Sequence, residues 1–395
     1  MISRYVILLV LVLMVSWINW RLLIQWFPGT SFKKYGYSYW LVTGIAWLLI
    51  NYTWLFHPES ALLYKWITPL VELSYVWVIA GMVLLCLFPI LFIMKRLSNR
   101  ANPDPKYKET NNINVSRRTF LQSMLCASPV LALGVSAKGV YSAECEMVVR
   151  QVPLAFQELP QDLQGFKIAQ ISDTHIGPFF SLERLDEVLQ ITIAEKPDMV
   201  VITGDLIDDL ALLEATIQRL NQIFTLVPYG IYFCWGNHEY FRDINKIRKE
   251  LAKSQIHVLE NSNVPVKIGQ TTFYMLGVDY PWAKDPGDRE RIQQVFMIKA
   301  KANIPSDAFS VLLAHHPDFL FNAFAEQIPL TLAGHTHGGQ VNILGKSLLP
   351  VSYHYMRGLY QENGSYGYVN PGTGQWVPFR IGCPPEISIF TLTAK

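Results

Sequence analysis

The 395-residue chain lacks an excess of charge of either sign, with 33 Lys and Arg against 31 Asp and Glu and a formal net charge of +2. No polyanion-binding surface is implied, and nucleic acid is not expected as a partner. The five cysteines, Cys86, Cys126, Cys145, Cys234 and Cys383, have no paired spacing, which speaks against a disulfide framework or a zinc knuckle. No internal repeat recurs at a fixed period, which excludes solenoids and propellers. No serine or cysteine stands out as a covalent nucleophile. Charge is scarcest in the N-terminal third, and the apolar residues are concentrated there.

Residues 5–26, about 39–56 and 71–94 are each long enough to cross a bilayer, which takes roughly 20 apolar residues. Trp17, Trp20, Trp40, Trp54 and Trp66 gather toward the ends of these runs, as interfacial aromatics do. Arg21 can snorkel from the end of the first run, and Glu72 opens the third at headgroup depth. Lys33 and Lys34 follow the first run, and Lys95, Arg96 and Arg100 follow the third. The positive-inside rule places both groups in the cytoplasm and the N-terminus outside. Residues 57–68, with Glu59 against Lys65, fit an external loop.

Residues 101–115 are polar, carry Pro103 and Pro105, and read as a cytoplasmic linker. Ser116-Arg-Arg-Thr-Phe-Leu-Gln122 then precedes a modest apolar run over 124–137. This resembles a twin-arginine export signal, here internal rather than N-terminal, and implies the twin-arginine machinery as a partner. The other reading is a basic anchor before a fourth span. On both, Arg117 and Arg118 stay inside and the chain beyond about residue 140 emerges outside. The expected organisation is three transmembrane helices in 1–100, the linker in 101–115, the twin-arginine-like segment and fourth span in 116–140, and a catalytic domain in 145–395.

From Cys145 the pattern becomes that of a globular α/β domain. Residues 148–156 read as a strand, and Ser181 can cap a helix reaching about Lys196. Residues 211–224 and 244–254 have amphipathic helical periods, while 257–278 and 365–393 read as strands with turns at Asn261 and Gly269. Strand–helix alternation followed by strand-rich halves predicts two facing sheets flanked by helices.

Five short apolar runs stop on side chains that bind metals. Residues 167–172 end at Asp173 and His175, 199–204 at Asp205, 230–236 at Asn237 and His238, 310–314 at His315, and 330–334 at His335 and His337. Ligands of open α/β sheets gather beyond the carboxyl ends of the strands, so these side chains are expected in one place. Asp173 and His175, two apart in extended chain, are expected to lean the same way. Carboxylate together with imidazole suits Mn, Fe or Zn rather than Mg or Ca. The set is large enough for two cations. Gly204 allows close backbone approach before Asp205. Asp208 and Asp209 read as solvated helix-start residues, and His57 and His257 carry no assigned role. His354 is left open.

In order and placement, Asp173-Thr-His175, Gly204-Asp205, Gly236-Asn-His-Glu239, His315 and Gly334-His-Thr-His337 resemble the five-block signature of calcineurin-like metallophosphoesterases. The resemblance covers about 148–395. Gly338-Gly-Gln340, Arg357-Gly-Leu-Tyr360 and Arg380-Ile-Gly-Cys-Pro-Pro-Glu386 are similar to the membrane-anchored or exported bacterial branch. The resemblance implies a four-layer αββα sandwich, preceded in this chain by the bundle of transmembrane helices. It implies that Asp173, His175, Asp205 and His337 hold one divalent cation and Asp205, Asn237, His315 and His335 the other, with Asp205 bridging. His238 would be catalytic. The adjacent His315 and His316 both suit the ligand position; His315 is taken because it directly ends the apolar run, and His316 is read as standing behind the ligands. A hydroxide shared by the two cations would attack phosphorus. The chain departs from the branch at Val369-Asn-Pro-Gly-Thr-Gly374, where an Arg-containing segment is usual and Pro371 removes a donor.

The expected function is a multi-pass phosphohydrolase of the bacterial cytoplasmic membrane with its catalytic domain outside. Its substrate is expected to be phosphorylated, with a lipid-linked or envelope phosphate as one option. The alternative is a membrane sensor or scaffold that binds a phosphorylated ligand without turnover, although ligands in every block together with His238 argue for catalysis. Almost no charge lies within the spans, which argues against a transporter.

Overall fold

The structure, a computed structural model, describes residues 2–26, 34–55, 61–100, 117–348 and 353–395. Lys33, residues 57–60 of the expected external loop (with His57 and Glu59), the linker 101–115 and Ser116 lie outside the described residues. The chain divides into two compact units, Met1–Tyr141 and Ser142–Lys395.

The first unit holds α1 (Ile2–Trp26), α2 (Gly36–Leu55), α3 (Ala61–Arg100) and most of α4 (Arg117–Cys145). Among the described residues, Trp66–Met94 within α3 is long and apolar enough to cross a membrane by length and composition, and Leu9–Gln25 is a shorter apolar stretch. The helix α3 starts before the expected run and takes in Lys65, Trp66 and Thr68, where the sequence reading placed a loop. Pro69 lies inside it, because a proline removes one backbone hydrogen bond and need not end a helix whose neighbours favour it. Polar side chains link the helices. The Asn19 amide donates to the Gly81 carbonyl (2.8 Å), the Tyr39 hydroxyl to the Ser16 carbonyl (3.0 Å) and the Trp77 indole to the Thr43 hydroxyl (3.1 Å).

The second unit opens with β1 (Val148–Phe156), β2 (Lys167–Ile171), α5 (Leu182–Ala194), β3 (Met199–Thr203), α6 (Leu213–Phe224), β4 (Ile231–Cys234), α7 (Asn237–Phe241), α8 (Ile244–Leu251) and β5 (His257–Leu259). It continues through β6 (Ser262–Ile268), β7 (Thr271–Gly277), α9 (Pro286–Ala300), β8 (Ser310–Leu313), α10 (Phe319–Ala325) and β9 (Leu330–Ala333). It closes with the hairpin β10 (Asn342–Ile343) and β11 (Lys346–Ser347), then β12 (Gly358–Glu362), β13 (Ser365–Val369) and β14 (Glu386–Ala394).

One sheet has the order β1-β14-β2-β3-β4-β5 and the other β12-β13-β9-β8-β7-β6. Alternation along each strand decides which sheet face each side chain joins. Ile168, Met199, Val201 and Tyr232 pack against Phe273, Met275, Val311 and Leu330 between the sheets. Ala169, Val200, Ile202 and Phe233 point the other way, onto Val188, Leu213, Leu220 and Ile247 of α5, α6 and α8. On the far face of the second sheet, Leu276 and Leu312 meet Met297 of α9 and Phe319 of α10. The result is a helix–sheet–sheet–helix sandwich.

Ser181 caps α5 by accepting from the Arg184 amide (3.2 Å), as its position before an amphipathic run dictates. Two features depart from the sequence reading. The helix α9 lies in a stretch to which the sequence reading assigns no element. Its start is signalled by Asp285, which accepts from the Gly287 amide (2.8 Å) just ahead of Pro286 at the first helical position. Residues 370–385 are not β but an irregular strap. The strap is bonded across the end of β2, with the Thr373 amide donating to the Ser172 carbonyl (2.7 Å) and the Gly374 amide to the Asp173 carbonyl (3.2 Å).

Candidate metal centre

The side chains at the strand ends converge by a route other than extended chain. Asp173, His175, Asp205, His335 and His337 all have left-handed backbone, with φ of 51°, 50°, 51°, 75° and 48°. Asp173 and His175 therefore do not lean together as neighbours on a strand. Each is turned inward by a sharp bend, a conformation costing about 1–3 kcal/mol that the surroundings must enforce. The enforcement is visible. The loops after β2 and β3 are laced together by the Asp173 amide on the Gly204 carbonyl (3.1 Å) and the His175 amide on the Asp205 carbonyl (3.0 Å). Gly204 permits this approach, since a Cβ there would lie 2.6 Å from His315 Nδ1 and 2.8 Å from the Gly236 backbone.

Two clusters share Asp205. In one, His175 Nε2 lies 3.0 Å from His337 Nε2 and 3.7 Å from Asp205 Oδ2, while His337 Nε2 is 3.6 Å from Asp173 Oδ1. In the other, His315 Nε2 lies 3.2 Å from Asp205 Oδ2, 3.1 Å from Asn237 Oδ1 and 3.2 Å from His335 Nδ1. All the ligand positions expected from the sequence are thus brought together. The neighbour His316 is not aimed at these atoms. Its Nδ1 accepts from the Asp318 amide (3.2 Å) and its ring packs against His335 at 4.9 Å. His354 is exposed and rests on Phe321 and Tyr355.

Electrostatics give the centre its character. Burial opposes the charge on Asp173 and raises its pKa, an effect to which Asp205 adds. Asp205 is also desolvated, yet His315, His238 and His175 hold it well below the carboxylate range. Burial pushes His175 and His315 down, but the surrounding carboxylates outweigh it and raise them to about 9 and about 10. His335 and His337 are held well below the usual range by burial and by the cationic groups beside them.

The donor set fits divalent cations. Each facing pair of imidazole nitrogens is spaced for one shared proton, and ligands exchange protons for metal when they bind it. His315 Nδ1 rests on the Thr203 carbonyl (2.7 Å), the support that commonly frees the far nitrogen as a ligand. Carboxylates that draw protons onto buried imidazoles act on a divalent cation through the same field.

His238, half-buried, brings a ring nitrogen within 4.8 Å of ligand atoms of His175 and Asp205, and its Nδ1 lies 2.7 Å from Asp208 Oδ1. Asp208 was read from the sequence as a solvated helix-start residue, and the structure corrects this. Its side chain is only 7% exposed and also meets Arg242 (3.1 Å) and His175 Nδ1 (3.3 Å). Despite desolvation, its histidine neighbours keep it charged.

Three more residues escaped the sequence reading. Glu239, fully buried, accepts from the amides of Asp205 (3.1 Å), Leu206 (2.7 Å) and Gly236 (3.0 Å), and so holds two ligand loops together. Tyr353 places its hydroxyl 3.0 Å from His335 Nε2, leaving Nδ1 to face the cluster. Arg380, also fully buried, donates to the carbonyls of Pro371 (2.9 Å), Cys383 (3.1 Å) and Gly374 (2.5 Å) and lies 3.1 Å from His337 Nδ1. It supplies a cation behind the strap that departs from the exported branch. The one signal for Asp208 and Glu239 was their place three residues after Asp205 and within Gly236-Asn-His-Glu239.

Residues 166–339 match the family model for calcineurin-like phosphoesterases. The chain is 28% identical over 292 residues to an uncharacterized metallophosphoesterase of Bacillus subtilis, covering 70% of this chain and 98% of that one. It is 30% identical over 250 residues to an uncharacterized metallophosphoesterase of Aquifex aeolicus, covering 62% and 92%. It is also 30% identical over 289 residues to a transmembrane protein with metallophosphoesterase domain from Bos taurus, covering 68% and 63%. With the paired imidazole–carboxylate clusters at its strand ends, this chain belongs to the calcineurin-like metallophosphoesterases, metal-dependent hydrolases of phosphoric esters.

Proposed function

We propose that the protein is a membrane-anchored phosphohydrolase that works with two divalent cations, Mn, Fe or Zn, and faces away from the cytoplasm. The observation that carries this reading is the arrangement of two imidazole pairs around one shared carboxylate, Asp205. Asp173, His175, Asp205 and His337 would hold one cation, and Asp205, Asn237, His315 and His335 the other. Bound there, the cations would supply Lewis acidity, lowering the pKa of water toward about 7 and neutralising phosphoryl charge.

The chain's own residues supply orientation and proton transfer. Asp208 fixes the His238 ring through Nδ1, which leaves Nε2 free to protonate the departing oxygen or to stabilise charge on the phosphoryl group. Arg242 keeps Asp208 in place. Thr203, through its carbonyl, and Tyr353 set the ring orientations of His315 and His335. Glu239 holds the loops bearing Asp205 and Asn237 at fixed separation.

Membrane attachment is supported by the apolar helix Trp66–Met94 and by resemblance to relatives named as transmembrane proteins. The basic groups Lys33, Lys34, Lys95, Arg96, Arg117 and Arg118 favour a multi-pass bundle with the catalytic unit outside. Export would use the twin-arginine route.

The test is hydrolysis of phosphomonoester, phosphodiester and pyrophosphate panels by purified full-length protein. Activity should vanish on chelation and return with added metal, and metal analysis should find two equivalents per chain. Full activity in metal-stripped protein would rule the reading out. For topology, protease added to intact spheroplasts should release a fragment beginning after about residue 140. Replacing Arg117 and Arg118 by Lys should retain that fragment inside. A domain protected in the unmodified protein would sink the proposed orientation.

A further inference from the structure

The mouth of the centre is ringed by aromatic side chains, several of them left in water. Phe241 at the end of α7, Trp282 in the loop after β7 and Trp376 in the strap are 56%, 44% and 48% exposed. They form one arc. His238 lies 5.3 Å from Phe241 and 6.3 Å from Trp376 between ring centroids, Phe241 lies 5.5 Å from Trp282, and Trp282 4.7 Å from Tyr280. Tyr280 in turn lies 5.6 Å from His335. Large aromatics are favourable when covered and costly when wet, so a contiguous exposed group beside reactive residues marks a contact surface.

We propose that this collar receives an apolar chain carried by the phosphoester, so that the substrate is an amphiphile with its phosphate at the centre and its hydrocarbon on Phe241, Trp282 and Trp376. The inference rests on the phosphohydrolase reading and names the substrate class for it. Three observations select the occupant. The arc runs from Trp376 past His238 and on to His335, so whatever lies on it is within covalent reach of the reacting phosphate. The ring planes of Phe241 and Trp282 meet at 62°, those of Tyr280 and Trp282 at 57° and those of His238 and Trp376 at 76°. None of these pairs is parallel, so the arc offers an apolar wall and not the slot that clamps a flat base. The same chain carries Trp66–Met94, a helix long and apolar enough to cross a membrane, and on the membrane-anchored reading the enzyme would work where amphiphiles are concentrated.

The strap bearing Trp376 is also tied to the hairpin β10–β11, through Gln340 Nε2 on the Val377 carbonyl (3.1 Å) and the Asn342 amide on the Ile381 carbonyl (2.7 Å). That hairpin leaves Ile343 and Leu344 55% and 98% exposed.

The experiment uses full-length, Mn-loaded protein in nanodiscs and a series of alkyl p-nitrophenyl phosphodiesters from methyl to decyl, each below its micelle concentration. We expect kcat/KM to rise about 2–4-fold per methylene over the first several, as burial of roughly 0.8 kcal/mol per methylene implies. In the double variant Trp282→Ala, Trp376→Ala the decyl-to-methyl ratio of kcat/KM should fall at least tenfold. Trp376→Phe, which keeps an apolar ring, should retain most of the ratio. As a readout independent of turnover, calorimetry should show decylphosphonate binding more tightly than methylphosphonate, with the gap reduced in the double variant.

A flat chain-length profile with turnover intact would overturn the collar and leave the phosphohydrolase reading standing. A retained binding gap without hydrolysis of any ester would overturn the hydrolytic reading and support the collar. A thymidine p-nitrophenyl phosphodiester preferred over the decyl ester would replace the apolar chain by a base, and the proposal would fail.

Discussion

In Met1–Tyr141, Leu41, Leu48 and Leu73 stand 64%, 61% and 64% exposed while Ser16, Asn19, Thr43 and Ser136 are buried. In Ser142–Lys395, Leu154, Ile168, Met199 and Leu312 are fully buried. The helical unit thus turns apolar side chains outward and holds polar ones between helices, the pattern expected when the solvent is hydrocarbon. The catalytic unit buries apolar surface between and outside its sheets, as water dictates. Among its buried polar residues, Asp173, Asp205 and Glu239 lie just beyond the ends of β2, β3 and β4, and Arg380 of the strap lies against His337. On the membrane-anchored reading proposed above, a buried polar group in the first unit would replace hydrogen bonds that lipid cannot give. In the second it assembles a cation-binding field. The same observation, polar atoms inside, has two different physical causes.

The comparison can be broken at its strongest point by removing the shared carboxylate. Asp205→Asn should lower kcat/KM by about 10³-fold or more, since two cations would lose several kcal/mol of charge stabilisation at once. Plasma emission analysis should find fewer than two metal equivalents per chain. Retention of both metals with near-normal rate would show that Asp205 does not bridge. His238→Ala should keep both metals and lose rate by roughly 10²–10⁴-fold, the range for a proton-transferring group. Loss of metal in that variant would mean His238 is a ligand.

A matched pair of substitutions separates the solvents of the two units. Leu73→Arg, one residue from Glu72 near the start of the span, should disfavour membrane insertion by less than the about 2.5–3.5 kcal/mol of a mid-span Arg, read as the inserted fraction in microsomes. Ile298→Arg, at a side chain 70% exposed on α9, should change unfolding free energy by no more than about 0.5 kcal/mol. Equal tolerance at both positions would remove the case for a lipid-facing Leu73. A loss smaller than that of His238→Ala is expected at Asp208→Asn, which weakens the hold on His238. A loss of about 10–100-fold in kcat is expected, as for residues that support a working group from behind. Metal content should fall far less than in Asp205→Asn, because Asp208 supports the ligand position His175 from behind, and a loss as large as that of Asp205→Asn would assign Asp208 to the ligands.

Much of the site was readable before any fold was known, because each ligand follows directly on an apolar run and both signals are local. Ser181 at the start of α5 was legible for the same reason. The strap over 370–385 was not, since Gly and Pro punctuation reads alike in turns between strands and in a loop tied across one. Asp208 was misread because an aspartate ahead of a helix is usually solvated, and only the arrival of His238 and Arg242 from about 30 residues away removes the water. Arg380 gave no sign that it would be buried, since its partners are mainly backbone carbonyls.

The sequence by itself determined the ligand types, the strands that carry them and the contrast between an apolar N-terminal third and an α/β remainder. These rest on residue chemistry and on periods of two and 3.6 residues, which are short-range properties. The tertiary structure alone decided that β14 enters the first sheet between β1 and β2, since pairing partners more than 200 residues apart leave no local trace. It also decided the left-handed backbone at Asp173, His175, Asp205, His335 and His337. Bends of that kind are unfavourable in isolation, and they persist because the folded loops bond to one another and leave the ligand atoms no other direction.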